Sequence, residues 1–283
     1  MKSKVFSITE NSTKSGKGHY MRQSELKNYL LKKNIELEII TSNYDQVNKS
    51  KYQINQSLIL IDLPTENQTK INLDTLSFAN KICFDWVALQ PPETNIIVAH
   101  WADKTFGFTD KIYSGFDYII TSEEILNLTT AEKKYCLVTI GGYTDDSIIN
   151  QVLNLLKLNY SSDVLLVNSG NLINIESRKI LRRNLPRKDF LQLIADAELV
   201  VTNGATTLAE SIILKKKLIV VPKNVYEYNF ARYLARQYSF FDIWQFNNKY
   251  PQIEMLNSDW HWLDGHGVMR VGEIIEQQVG AHG

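Results

Sequence analysis

The feature that most constrains this chain is an alternation of short apolar runs with amphipathic stretches, carried along most of its length and begun twice. Strands are predicted at 5–8 (VFSI), 37–40 (LEII), 57–62 (SLILID), 81–86 (KICFDW), 95–100 (NIIVAH) and 117–121 (DYIIT), with a helix over 20–33. Leu26, Tyr29 and Leu30 share one face of that helix, at spacings of three and four. SLILID is nearly all apolar, as expected of a strand covered on both faces. The pattern restarts near Thr130. Strands at 163–168 and 217–222, and strands that run into a glycine turn at 135–142 and 198–204, then alternate with helices at 147–158, 189–197, 206–214 and 226–236. In the first of these helices Ile148, Ile149, Val152 and Leu155 are expected inward. Such alternation implies parallel sheets with helices on both faces. The expected fold class is α/β, with two doubly wound domains at 1–130 and 131–283.

Charge narrows the partners. Lys+Arg and Asp+Glu each number 31, so the net charge is zero, which argues against a nucleic-acid partner held by bulk electrostatics. The basic run KILRRNLPRK (179–188) reads as a solvated loop and helix start, with a local basic patch as the alternative. Cys83 and Cys136 sit in apolar runs and are expected as buried free thiols. His100, His261, His266 and His282 are scattered without a ligand spacing, so neither a metal nor a cofactor is expected. His261 falls in DWHWLDGHG (259–267), read as an aromatic tail packing onto a domain, or else as a lid. The N-terminal apolar run is too short for a signal peptide, and no stretch approaches the roughly 18 apolar residues of a membrane span. The expectation is a cytoplasmic protein with no integral membrane segment; no oligomeric state is assigned.

In a doubly wound sheet, ligands bind beyond the carboxyl ends of strands, where the next helices begin. Three glycine turns fall at such junctions. In the first, Gly16, Lys17 and Gly18 precede His19 and the first helix; a phosphate or developing negative charge suits the free N–H groups there. A plain loop with a capping histidine is the alternative. The second turn holds Gly142 and Thr144, with Asp145 or Asp146 able to cap the following helix. The third holds Gly204, Thr206 and Thr207, with Glu210 one turn into the helix. Hydroxyls there could hold phosphate oxygens and Glu210 could accept from ribose hydroxyls; a helix cap with a solvated glutamate is the alternative. None of the three matches a P-loop or a full GxGxxG pattern.

GKGHYMR (16–22) resembles the G-x-G-H-x-x-R motif that opens the UDP-sugar hydrolase of pseudaminic acid biosynthesis and the related spore-coat polysaccharide proteins. LILID (58–62), CFDW (83–86), YSGFDYIITSEEI (113–125), TIGGYTDD (139–146), ADAELVVTNGATTLAE (195–210), EYNFARYL (227–234) and DGHGVMRV (264–271) resemble further family segments in the same order. The resemblance implies the GT-B fold, two facing Rossmann-like domains with a ligand cleft between them. The first domain would take the sugar, and the second the nucleotide through the later two turns. It implies that His19 is the catalytic base and that Arg22, Asp62, Asp85 and Asn229 lie at the substrate. For Asp62 and Asp85, helix capping stays open. Three departures from the family stand out: Leu63-Pro64 replaces His-Tyr, Trp86 replaces the second aspartate, and Thr121 replaces an arginine. All three lie on the sugar side.

The function so implied is hydrolysis of a nucleotide-activated sugar, with UDP the expected nucleotide, in biosynthesis of a nonulosonic acid or surface polysaccharide. Two alternatives stand beside it: a GT-B glycosyltransferase, and a nucleotide-sugar-binding protein without catalysis.

Overall fold

The computed structural model describes residues 4–11, 18–41, 58–68, 80–85, 96–99, 111–131, 135–140, 146–167, 179–182, 185–204, 206–222, 227–228, 231, 241–243 and 263–280. The chain divides into two compact units, one formed by Met1–Glu123 with Gly265–Gly283, the other by Glu124–Asp264.

The first unit carries a six-stranded parallel sheet in the order β2-β1-β3-β4-β5-β6. Its strands are β1 (Lys4–Thr9), β2 (Glu36–Thr41), β3 (Leu58–Asp62), β4 (Asn80–Phe84), β5 (Ile96–Ala99) and β6 (Ile112–Ser114). Helix α1 (Gly18–Lys32) links β1 to β2, and one short turn, α2 (Thr65–Gln68), follows β3. Every residue of β3 is buried, as its apolar run requires. Leu26, Tyr29 and Leu30 of α1 pack with Leu58, Leu60, Ile82 and Phe84 of the sheet.

The second unit carries another six-stranded parallel sheet, ordered β9-β8-β7-β10-β11-β12. Its strands are β7 (Tyr135–Thr139), β8 (Asp163–Val167), β9 (Lys179–Arg182), β10 (Leu199–Thr202), β11 (Lys217–Val220) and β12 (Phe241–Ile243). The helices are α3 (Asp146–Asn159), α4 (Arg187–Asp196) and α5 (Thr206–Ile213). Ile149, Val152, Leu153 and Leu156 of α3 cover Val138, Leu166 and Val201. Ile148 and Leu155, expected inward, are only half-buried, so the buried stripe lies one residue round from the expected one. Cys83 and Cys136 are free and buried. Burial pushes both thiols up, Cys136 to about 12, so neither is a nucleophile at neutral pH.

The structure departs from the sequence expectation in four places. The apolar run 117–121 is no strand: Gly115, at φ 111, turns the chain after β6, and Phe116–Tyr118 forms a turn of 3-10 helix. Ile119 and Ile120 are buried all the same. The basic run at 179–182 is an edge strand rather than a loop, and charged residues suit an edge. β12 was not anticipated. The helix expected over 226–236 lies largely outside the described residues.

The fourth correction concerns the division of the chain. The sequence expectation gave everything after Thr130 to one domain, whereas the segment from Gly265 belongs to the first unit. It forms helix α6 (Gly267–Gly280), whose Val268, Val271, Ile274 and Ile275 enter the first unit's core. Two glycines make this packing possible. A Cβ at Gly267 would lie 2.0 Å from the carbonyl oxygen of Ile119, and one at Gly272 would lie 2.2 Å from the Tyr29 ring on α1. Arg270 Nη1 donates to the Asp117 carbonyl at 3.1 Å. The DGHGVMRV segment is therefore the anchor of this helix.

Candidate active site

Each sheet has one point where the chain leaves a strand on one side and returns on the other. In the first unit it lies between β1 and β3, in the second between β7 and β10. Helices diverge from such a point and leave a crevice at the carboxyl ends of the strands. Thr9 pairs with Asp62 at the first point, and Thr139 with Thr202 at the second.

At the first point Asp62, the last residue of β3, is fully buried. His19 stands at the second residue of α1, and its Nδ1 lies 2.7 Å from Asp62 Oδ1. Arg22, one turn on, forks onto the same carboxylate: Nε donates to Oδ2 at 2.5 Å and Nη2 to Oδ1. Its Nη1 reaches Asp85 Oδ2, just past β4, at 2.5 Å. Gln23 Nε2 donates to Asp62 Oδ2 at 2.8 Å. The amide of Gln23 is oriented by Ser7 on β1, whose hydroxyl donates to its Oε1 at 2.8 Å. The spacing of 19, 22 and 23 places all three side chains on the face of α1 over the sheet.

Burial alone would raise the pKa of Asp62, but the Arg22 guanidinium, His19 and their hydrogen bonds outweigh it and lower it from 3.8 to about 2. Burial alone would lower the pKa of Arg22; the two carboxylates reverse this and raise it. An ionised carboxylate only accepts hydrogen bonds. The bond between His19 and Asp62 is therefore donated by Nδ1–H, and in the neutral ring the lone pair sits on Nε2. Among the described residues Nε2 has no partner, and the side chain is 23% exposed. The arrangement presents an oriented base to solvent.

Four donors reach Asp62, which fills the acceptor positions of a carboxylate. Asp62 is neither a helix cap nor open to a ligand. Asp85 has φ 46, uncommon for aspartate, with its N–H bonded to the Val98 carbonyl at 2.9 Å. Its carbonyl accepts from Gln68 Nε2 at 3.0 Å. Arg22, expected at the substrate, is engaged by the two carboxylates. Gln23, Gln68 and Ser7 were missed. Nothing local marks them, because their partners lie on other elements.

At the second point Thr202 is fully buried and its hydroxyl has no partner among the described residues. Asn203 Nδ2 donates to Glu227 Oε1 at 2.7 Å. Gly204 is dictated by sterics, since a Cβ there would lie 2.7 Å from the Glu227 carbonyl oxygen. Thr206 and Thr207 open α5. Glu210 is fully buried and takes a hydrogen bond from Arg187 at the start of α4, so it is not the solvated glutamate of the capping alternative. Arg187 is a further residue that the sequence did not single out. Gly16, Lys17, Gly142, Thr144 and Asn229 lie outside the described residues, as do Trp86, His100, His261 and His282. Among the described residues no helix is long and apolar enough to cross a membrane.

No family model matches the sequence, and no curated protein matches it. Solved structures do. The chain is similar to the UDP-GlcNAc 2-epimerase of Methanocaldococcus jannaschii, with TM-score 0.60 at 13% identity, over 97% of this chain and 99% of that one. It is similar to a spinosyn forosaminyltransferase, with TM-score 0.57 at 10% identity over 100% and 96%. It is also similar to MurG of Acinetobacter baumannii, with TM-score 0.52 at 10% identity over 99% and 94%. The fold is GT-B. At these identities the likeness speaks for the fold alone.

Proposed function

We propose that this chain cleaves the bond between a sugar and its nucleoside diphosphate, with His19 as the base. The observation that carries the reading is the pairing of His19 Nδ1 with buried, ionised Asp62, which leaves Nε2 as the acceptor. Water, held at Nε2, attacks the anomeric carbon and gives its proton to Nε2. The bond from the anomeric carbon to the diphosphate oxygen breaks, and the nucleoside diphosphate departs with the electron pair. A base so placed contributes about 10²–10⁴ in rate. The first unit takes the sugar. The second takes the nucleotide at the switch point marked by Thr202, Gly204, Thr206 and Thr207; Gly142 and Thr144, which lie outside the described residues, are the other candidates. The solved epimerase similar to this chain was captured with UDP-GlcNAc and UDP, which supports a UDP-sugar as the first substrate to try.

A second reading is glycosyl transfer, in which an acceptor hydroxyl replaces water at Nε2. It is favoured by the solved glycosyltransferase whose fold this chain shares along its whole length. Phosphorus NMR on purified protein with UDP-, GDP- and CMP-sugars separates the two. Free nucleoside diphosphate (CMP from a CMP-sugar) without acceptor supports hydrolysis, and release only with acceptor supports transfer. Binding without release in either case refutes catalysis. His19→Ala is expected to lower turnover by about 10²–10⁴ while UDP affinity stays within about twofold. Turnover at the wild-type rate would remove His19 from the mechanism.

A further inference from the structure

We propose that Arg22 is a positioning residue, which fixes the ring of His19 through Asp62 and does not contact the diphosphate. The inference rests on reading His19 as the base.

Arg22 is 8% exposed, and its guanidinium is forked onto Asp62 and bridged to Asp85. It also lies over the Phe84 ring, 5.9 Å from the centroid. Its Nη2 also lies 3.2 Å from His19 Nδ1, so the guanidinium is packed among protein groups with little surface left for a phosphate. The charge of the cluster points the same way. Among the described residues of the cluster, with the imidazole neutral, one guanidinium faces two carboxylates, a balance of −1 at the end of β3 and β4. That repels a diphosphate and suits sugar hydroxyls.

What Arg22 does supply is the charge state of Asp62. A fully buried carboxyl without a cation takes up a proton, because desolvation penalises the anion. A protonated Asp62 can meet Nδ1 through either its O–H or its C=O. The ring would then no longer be held with its proton on Nδ1, and Nε2 would lose its fixed lone pair. The second arm of the guanidinium ties this pair to Asp85, whose left-handed backbone is held by Gln68 and Val98. One side chain thereby sets three groups from α1, β3 and the turn after β4.

The test has two readouts. Long-range ¹H–¹⁵N correlation on ¹⁵N-histidine-labelled protein at pH 8 reports which ring nitrogen carries the proton; the His19 signals are those lost in His19→Ala. Wild type is expected in the Nδ1–H form, Arg22→Lys is expected to keep it, and Arg22→Gln is expected to lose it. Asp85→Asn leaves the fork on Asp62 and is expected to keep it too. Turnover of the best UDP-sugar should fall about 10²-fold in Arg22→Gln and less in Arg22→Lys. UDP affinity by calorimetry should stay within about twofold in both. A wild-type ring protonated at Nε2 overturns the proposal, as does UDP affinity that falls in step with turnover. If Arg22→Gln does not fold, Arg22→Lys and Asp85→Asn carry the same test, because loss of the Nδ1–H form in either refutes it. If wild type neither binds nor turns over any nucleotide sugar, the proposed function fails while the tautomer measurement still decides the role of Arg22.

Discussion

Asp62→Asn removes one charge from a fully buried site while keeping the shape of the side chain. The drop in the pKa of Asp62 from 3.8 to about 2 corresponds to about 2–3 kcal/mol of stability at neutral pH. Asp62 is 0% exposed, so solvent does not screen this contribution. Against the usual 5–15 kcal/mol of a folded domain this is a large share. The sign follows from the depressed value: the contribution is full above pH 4 and disappears as pH falls through about 2. Hydrogen exchange on peptides from β1 and β3 reports the first unit separately, which matters because a two-unit chain need not unfold in one step. At pH 7 these peptides should lose about 2–3 kcal/mol of protection in Asp62→Asn. Urea unfolding by far-UV circular dichroism should then show wild type and variant converging as pH falls from 4 to 2. A gap that stays constant down to pH 2, or no gap at pH 7, would refute the reasoning, since the ionised carboxylate would then not be the source of stability.

Gly272→Ala places a methyl group on the Tyr29 ring, which is itself buried in the core; a loss of about 1–2 kcal/mol in thermal unfolding is expected after the gain in helix propensity. Adding Tyr29→Leu should make the pair less than additive, and strict additivity would mean that the ring is not the obstacle. Glu210→Gln weakens the bond from Arg187 to a fully buried carboxylate. It should cost about 1.5–3 kcal/mol, read as faster hydrogen exchange in α5 and β10, and unchanged exchange would place the pair outside the unit's stability.

Much of this protein was legible along the chain. The strands from VFSI, LEII, LILID, KICF, YCLVT and DVLLV stand where their apolar runs predict. The buried face of α1 follows from the spacing of Leu26, Tyr29 and Leu30. These are local signals: a run covered on both faces or a three–four periodicity is complete within one element. The position of His19 at a helix mouth was visible for the same reason. The run 117–121 shows the limit, because its apolar residues are buried as expected but one turn at Gly115 takes them out of the sheet.

What the sequence determined by itself was the succession of strands and helices, and hence the α/β class with two series. Which strands become neighbours was decided only in three dimensions. β1 pairs with both β2 and β3, and that crossing brings Asp62 to a helix that begins more than 40 residues earlier. The tail helix likewise returns to the first unit because Gly267 and Gly272 allow it to approach Ile119 and Tyr29, atoms far away in the chain. Periodicity records which face of an element is apolar; it carries no record of the surface that covers that face, nor of the cation that a buried carboxylate must find.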